Sequence, residues 1–225
     1  ADLGADVIKI ESPEGDDTRI GRSPFIERGE YKTAAYFHGA NRGNTSVAID
    51  LKDPGGLVPL KSMIAGADIL IENVKIRGPD KVWPRLRQIA RRALRPRLLQ
   101  VTGFGQDEPY ASRLGYGFLM QGMSGMMSLT GEPKRQPQKI AVAFVDIFSD
   151  LCGVIGSQAA LAERARSGLG HHEDISLLVS MTVVLANQSM NFLTPDRAPT
   201  RLGNAYSNVI PYQVFALADG HVIIA

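Results

Sequence analysis

The chain has 225 residues, 44% hydrophobic and 21% charged, a composition that supplies a substantial core and places it among ordinary globular proteins. Its 25 basic and 23 acidic side chains leave a net charge of +2, which argues against a nucleic-acid partner or a membrane-surface role for the chain as a whole. The single cysteine, Cys152, excludes an internal disulfide, no signal-peptide pattern opens the chain, and no run reads as long and apolar enough to span a bilayer, so a cytoplasmic protein is expected.

The opening ADLGADVIKIE has no initiator methionine and enters a strand almost at once, while HVIIA stops inside what reads as another strand. Truncation at both ends is expected. Val7 to Glu11 reads as a short buried strand, and SPEGDDTR after it has the proline, glycine and acidic residues of a loop. From there to about Ala40, Gly21, Pro24, Gly29 and Gly39 interrupt any period, so irregular structure is expected. Asn41 to Asp50 leads from a turn into a second strand, LKDPGG breaks it, and a helix is expected from about Leu57 to Ala65. Asp68 to Glu72, DILIE, is the next strand. Strand, helix and strand with near-continuous apolar runs predict a parallel sheet with helices packed on it. Asn73 follows that strand at its carboxyl end, where open α/β sheets place their ligand crevices.

Lys81 to Arg97 holds seven cations among Val82, Trp83, Leu86, Ile89 and Leu94, a pattern that predicts an amphipathic helix. Its basic face is either simply solvated or turned toward phosphates. Leu98 to Thr102 is a further strand ending in GFGQ, which lacks the third glycine of a dinucleotide fingerprint. Gly115 to Gly131 is rich in methionine and glycine and suits either a pocket wall or a core filling.

The stretch Ile140 to Gly170 organises the rest. Ile147, Leu151, Val154 and Leu161 fall at intervals of three and four and predict a helix with that seam toward a core. Ser149, Gly153, Gly156 and Ala160 form a second face, small enough for another backbone or a flat ligand to approach. Gly168 and Gly170 mark the helix end. Asp146 stands at the helix entrance. A carboxylate there is either an N-cap, stabilised by the unpaired N–H groups and dipole of the first turn, or a reactive group. Farther on, EDISLL reads as a strand entering a helix from about Leu177 to Phe192, and TPDRAPTRLGN as a linker. Tyr212 to Phe215 and His221 to Ile224 flank ALADG as a hairpin. A large domain over residues 1–192, a linker over 193–202 and the start of a smaller domain over 203–225 are expected. The four histidines lack a metal-like spacing, and no metal site is expected.

Seven blocks in order resemble the family III CoA-transferases, the CaiB/BaiF group that includes formyl-CoA and carnitine-linked CoA-transferases and acyl-CoA racemases. They are ADLGADVIKIESPEGDDTR, NRGNTSVAIDLK, ADILIEN, TGFG, GYGFLMQGMSGMMSLTGEP, VAFVDIFSDLCGVIGSQAALAERARSGLG with EDISLL, and RLGNAYSNVIPYQVFALADG. The resemblance implies a Rossmann-like α/β fold, a parallel sheet with helices on both faces, in which residues 1–192 are the CoA-binding domain without its first strand and helix. It implies transfer of coenzyme A between an acyl-CoA and a small carboxylic acid, with CoA as substrate and carrier and no other cofactor. Interlocked homodimers are implied as well.

Asp146 occupies the position of the family's catalytic aspartate. Its implied role is to attack the thioester, giving an acyl-aspartyl anhydride and CoA thiolate, with exchange through an aspartyl-CoA thioester. Ile49 and Asn73 are implied to touch the adenine-ribose end of CoA, Lys81 to approach phosphate, and Tyr116 to line the reaction pocket. Arg42 and Lys75 lie in matching basic stretches and are further phosphate candidates. The chain departs from the family pattern at Asp150, usually glycine, and at Asn44, Ser12 and Gly117, the last replacing an aspartate common after GY. Asp150 lies one helical turn after Asp146, so the two carboxylates share a face and the second is expected to raise the pKa of the first or to hinder the acyl group. An acyl-CoA racemase is a second reading, opposed by Tyr116 where the racemases carry a histidine base. A non-catalytic CoA-binding or dimerisation fragment is the third.

Overall fold

A computed structural model of the protein describes residues 1–21, 23–73 and 97–225. Parallel pairing builds its frame. Strand β1 (Val7–Glu11) pairs in parallel with β4 (Asn44–Ala48), Val7 opposite Asn44 and Glu11 opposite Ala48. Strands β5 (Ile69–Glu72), β6 (Arg97–Thr102) and β7 (His172–Ser176) form a second parallel sheet in that order. Only one side of the outer strands is well covered: Ile10 and Leu70 pack inward, whereas Ile8 and Ile71 are exposed.

Helix α2 (Leu57–Gly66) buries Leu57, Leu60 and Ile64, spaced three and four apart, on one side of these strands. Together with Ile49 and Leu98 they make one core, against which Ile10, Val47 and Leu70 also pack. Successive strand residues face opposite ways. Leu98 therefore joins the α2 core, while its neighbour Leu99 meets Gly153 of α5 (Phe144–Ser167), where an added Cβ would lie 3.2 Å from Leu99 Cδ2. The sheet thus carries helices on both faces, the α/β architecture implied by the sequence.

The buried face of α5 is the reverse of the one expected. Val145, Ser149, Gly153, Ser157 and Ala160 are buried, whereas Ile147, Leu151 and Val154 are 53%, 55% and 43% exposed. The sheet comes too close for large side chains: at Gly156 an added Cβ would sit 2.9 Å from the Glu173 carboxylate on β7. Small residues are what that approach admits, and the branched ones are turned outward. By length and composition α5, at 24 residues, is apolar enough to cross a bilayer, which corrects the sequence reading.

Two further expectations are corrected. The region before Ala40 contains a hairpin, β2 (Phe25–Arg28) and β3 (Tyr31–Ala34), followed by the short helix α1 (Ala35–Ala40). The turn between the strands is Gly29–Glu30, and Gly29 takes φ +60, which makes that interrupting glycine part of the hairpin. The helix expected over 177–192 is two helices, α6 (Leu177–Val184) and α7 (Asn187–Leu193), parted at Ala186 with φ 46 and ψ −115. Strands β8 (Gln213–Ala216) and β9 (His221–Ile224) form the antiparallel hairpin read from ALADG, closed by Leu217 N–H donating to Gly220 O at 2.8 Å. Helix α3 (Gly117–Met123) and the single turn α4 (Met126–Leu129) come from the methionine-rich stretch. Met120 joins Phe104, Val145, Leu177 and Met181 in a second core, which fastens α3, α5 and α6 together just beyond the end of β6.

Candidate active site

That second core fixes a cavity at the carboxyl ends of β5, β6 and β7. Glu72 and Asn73 close β5, Thr102 and Gly103 close β6, and Leu177 follows β7; with Ala111, Arg113, Leu114, Gly115 and the first turns of α5 they line a cavity of about 430 Å³. Two backbones nearly touch on its wall. A Cβ on Gly103 would lie 2.4 Å from the Cα of Gly115, and one on Gly115 would lie 2.2 Å from the Cα of Gly103. Only glycine at both positions permits that approach. Behind the wall, the buried Gln100 amide donates to the Glu72 carboxylate across neighbouring strands.

Asp146 enters from α5. The helix begins at Phe144 with Ala143 as its N-cap, which makes no side-chain cap hydrogen bond, so Asp146 is the third helical residue and not the cap the sequence suggested. It remains in the first turn, where unpaired N–H groups favour negative charge. The chain ahead of the helix is held by Gln121, a 3% exposed residue of α3 whose Oε1 accepts from Ile140 N–H at 2.8 Å. Gly117 opens α3 directly against the Asp146 carboxylate: an added Cβ there would be 2.9 Å from Asp146 Oδ2. The departure at Gly117 thus leaves room that any larger residue would contest. Asp146 makes no ion pair among the described residues and is exposed to the cavity, as a group awaiting an external electrophile must be.

Asp150 lines the same cavity one turn later. Its carboxyl is raised above the ordinary value, by burial first and by the Asp146 charge second. The spacing points to Asp146 as the carboxyl that is raised; the raised one is Asp150.

The other residues singled out by the sequence are dispersed. Asn73 lines the cavity with Asp146. Tyr116 is the N-cap of α3, 67% exposed, next to the Gly117 that contacts Asp146. Ile49 sinks its side chain into the α2 core. Arg42 stands before β4, at the strand's amino end, ion-paired to Asp2 at 2.8 Å, and does not join the cavity. Lys75 and Lys81, with the basic segment 81–96, lie outside the described residues. Sequence reasoning missed Arg113, the cation among the described residues of the cavity wall, whose only local signal is its place just before LGYG. Among the described residues no group of three His, Cys, Asp or Glu side chains is arranged for a metal ion.

The family model for CoA-transferase family III matches residues 1–225. The succinate–glutarate CoA-transferase of Agrobacterium fabrum is 49% identical over 100% of this chain and 57% of its own length. The mouse succinyl-CoA:glutarate CoA-transferase is 34% identical over 99% of this chain and 50% of its own length. A crystal structure of a CaiB/BaiF family protein from Brucella suis superposes with a TM-score of 0.90 at 49% identity, covering 100% of this chain and 59% of that one. The chain therefore spans little more than half the length of the relatives it matches. A match along its entire sequence, with an aspartate presented to a cavity at the ends of a parallel sheet, makes this chain a member of CoA-transferase family III.

Proposed function

We propose that the protein exchanges coenzyme A between an acyl-CoA and a carboxylic acid, with Asp146 as nucleophile. The observation that carries this reading is the Asp146 carboxylate, without an ion pair among the described residues, set in the first turn of α5 and facing a cavity at the strand ends. An Asp146 oxygen attacks the thioester carbonyl; the C–S bond breaks, giving a mixed anhydride and CoA thiolate. The thiolate then attacks the aspartyl carbonyl of the anhydride, releasing the donor acid and leaving CoA on Asp146 as a thioester. The acceptor carboxylate repeats the first exchange, and the freed thiolate takes the acceptor acyl group. Every step trades one activated acyl bond for another, so no external energy source is needed. Glutarate and succinate, named for the relatives, are the acids to test first.

CoA would lie across the strand ends, with Asn73 and the main chain near Ile49 toward its nucleotide, Tyr116 toward the acyl group, and Lys81 and Lys75 as phosphate contacts. A second copy of the chain is the proposed cover for the outward face of α5, where Ile147, Leu151 and Ile155 are exposed in a row. The decisive measurement is covalent. Incubation with acyl-CoA followed by hydroxylamine or borohydride trapping should place the modification on Asp146 by mass spectrometry, and Asp146→Asn should abolish it. Protein that binds CoA yet leaves Asp146 unmodified would overturn the transferase reading in favour of a non-catalytic CoA-binding fragment.

A further inference from the structure

The described wall of the Asp146 cavity carries three carboxylates, Glu72, Asp146 and Asp150, and one cation, Arg113. Glu72 already receives the Gln100 amide. Arg113 has no ion pair among the described residues, and its recorded contacts hold the side chain in place without neutralising it. The guanidinium carbon sits 4.2 Å from the Tyr110 ring centroid. Tyr110 stands edge-on to Phe104, with centroids 5.4 Å apart and planes at 74°. Phe104 is 4% exposed and belongs to the second core. The main chain closes the turn, Arg113 N–H donating to Tyr110 O at 2.8 Å. A guanidinium stacked on an aromatic face keeps its N–H edge available, and that planar fork matches a carboxylate.

We propose that Arg113 receives the distal carboxylate of a dicarboxylic acid whose other carboxyl reacts at Asp146, and so sets a preference for diacids over monoacids. The proposal rests on the reading of the cavity as an acyl-exchange site. Two considerations favour this occupant over a phosphate of CoA. The pantetheine arm keeps the phosphates far from the sulfur, so a cation sharing a cavity with the nucleophile stands at the acyl end. A diacid that brings a second charge among three carboxylates is repelled unless a cation meets it, and Arg113 is placed to do so. Its anchoring on Tyr110 and Phe104 means that little side-chain freedom is lost on binding.

The test is binding of ¹³C-labelled glutarate, and of pentanoate as the monoacid of equal chain length, followed by NMR titration in the wild-type chain, Arg113→Met and Arg113→Lys, with acyl-CoA affinity measured in parallel. Glutarate should bind the wild type more tightly than pentanoate does. Arg113→Met should weaken glutarate about 10- to 100-fold, the usual range for losing a charge-assisted pair. Pentanoate and acyl-CoA should stay within about twofold, and Arg113→Lys should fall between, keeping the charge without the fork. Equal binding of the two acids by the wild type, equal weakening of both by Arg113→Met, or a loss confined to acyl-CoA would each overturn the proposal. The titration needs no turnover. Failure to trap an adduct on Asp146 while glutarate binding still depends on Arg113 would sink the transferase mechanism and leave the carboxylate site standing.

Discussion

Asp146 and Asp150 have the same side chain, one turn apart on one helix, yet they differ in what surrounds them. Asp146 has the open first turn and the glycine surface of α3 beside it. Asp150 is raised by burial and by its neighbour's charge. A carboxyl whose folded-state pKa lies above its unfolded value costs stability when ionised, a cost absent at low pH and complete once pH has risen through the folded value. Asp150→Asn should therefore raise Tm more at pH 8 than at pH 3. It should also speed acyl transfer a few-fold by removing a charge that opposes the incoming anions. An unchanged rate would mark Asp150 as a bystander.

Glu11 shows the opposite shift. Arg19 Nε and Nη2 donate to its two oxygens at 2.7 and 2.8 Å, Ser46 Oγ and Asp16 N–H add to them, and the Arg19 guanidinium lies over Phe37. These bonds, Arg19's first, hold the carboxyl at about 2 against an ordinary 4.5 despite its burial. The contribution to stability is complete above about pH 4.5 and is lost as pH falls toward 2. Glu11→Gln should cost about 2 to 3 kcal/mol at pH 7, with the gap to the wild type narrowing by pH 3, as measured by urea denaturation at both values.

Among helices and strands, the break between α6 and α7 was invisible in the sequence because LLVSMTVVLANQSMNFL has neither proline nor glycine to mark it. The structure places Ala186 in the first central position of a tight turn closed by Gln188 N–H donating to Leu185 O at 2.8 Å. Its φ of 46 and ψ of −115 are near the values of a type II′ turn, which favours glycine there. Ala186→Gly should relieve the strain and raise stability by about 1 kcal/mol, read as a Tm increase of a few degrees. A lower Tm would show that the entropy lost by glycine outweighs the strain. Helix α5 teaches a related lesson. Its existence, its C-terminal glycine and the carboxylate in its first turn all follow from local pattern. Its orientation does not, because two faces of suitable spacing compete and the closeness of the sheet selects the smaller one.

For the assembled protein, the outward apolar row on α5 bears on solution behaviour. If a second copy covers it, as proposed, sedimentation velocity should show concentration-dependent dimers, and Ile155→Glu, five residues beyond Asp150, should sediment as a single chain. A wild type that remains monomeric at high concentration would refute the homodimer and leave that face to some other cover.

The strand and helix order around β1, β4, α2, β5, β6 and β7 was readable from residues alone, because apolar periodicity and the conformational limits of glycine and proline act over a few positions. Asp146 was legible through resemblance and position together. The buried face of α5, the meeting of Gly103 with Gly115 and the arrival of Arg113 in the Asp146 cavity were decided only by the folded chain. Each depends on how closely segments distant in sequence approach one another, and that distance is set by packing across the sheet and not by any local pattern.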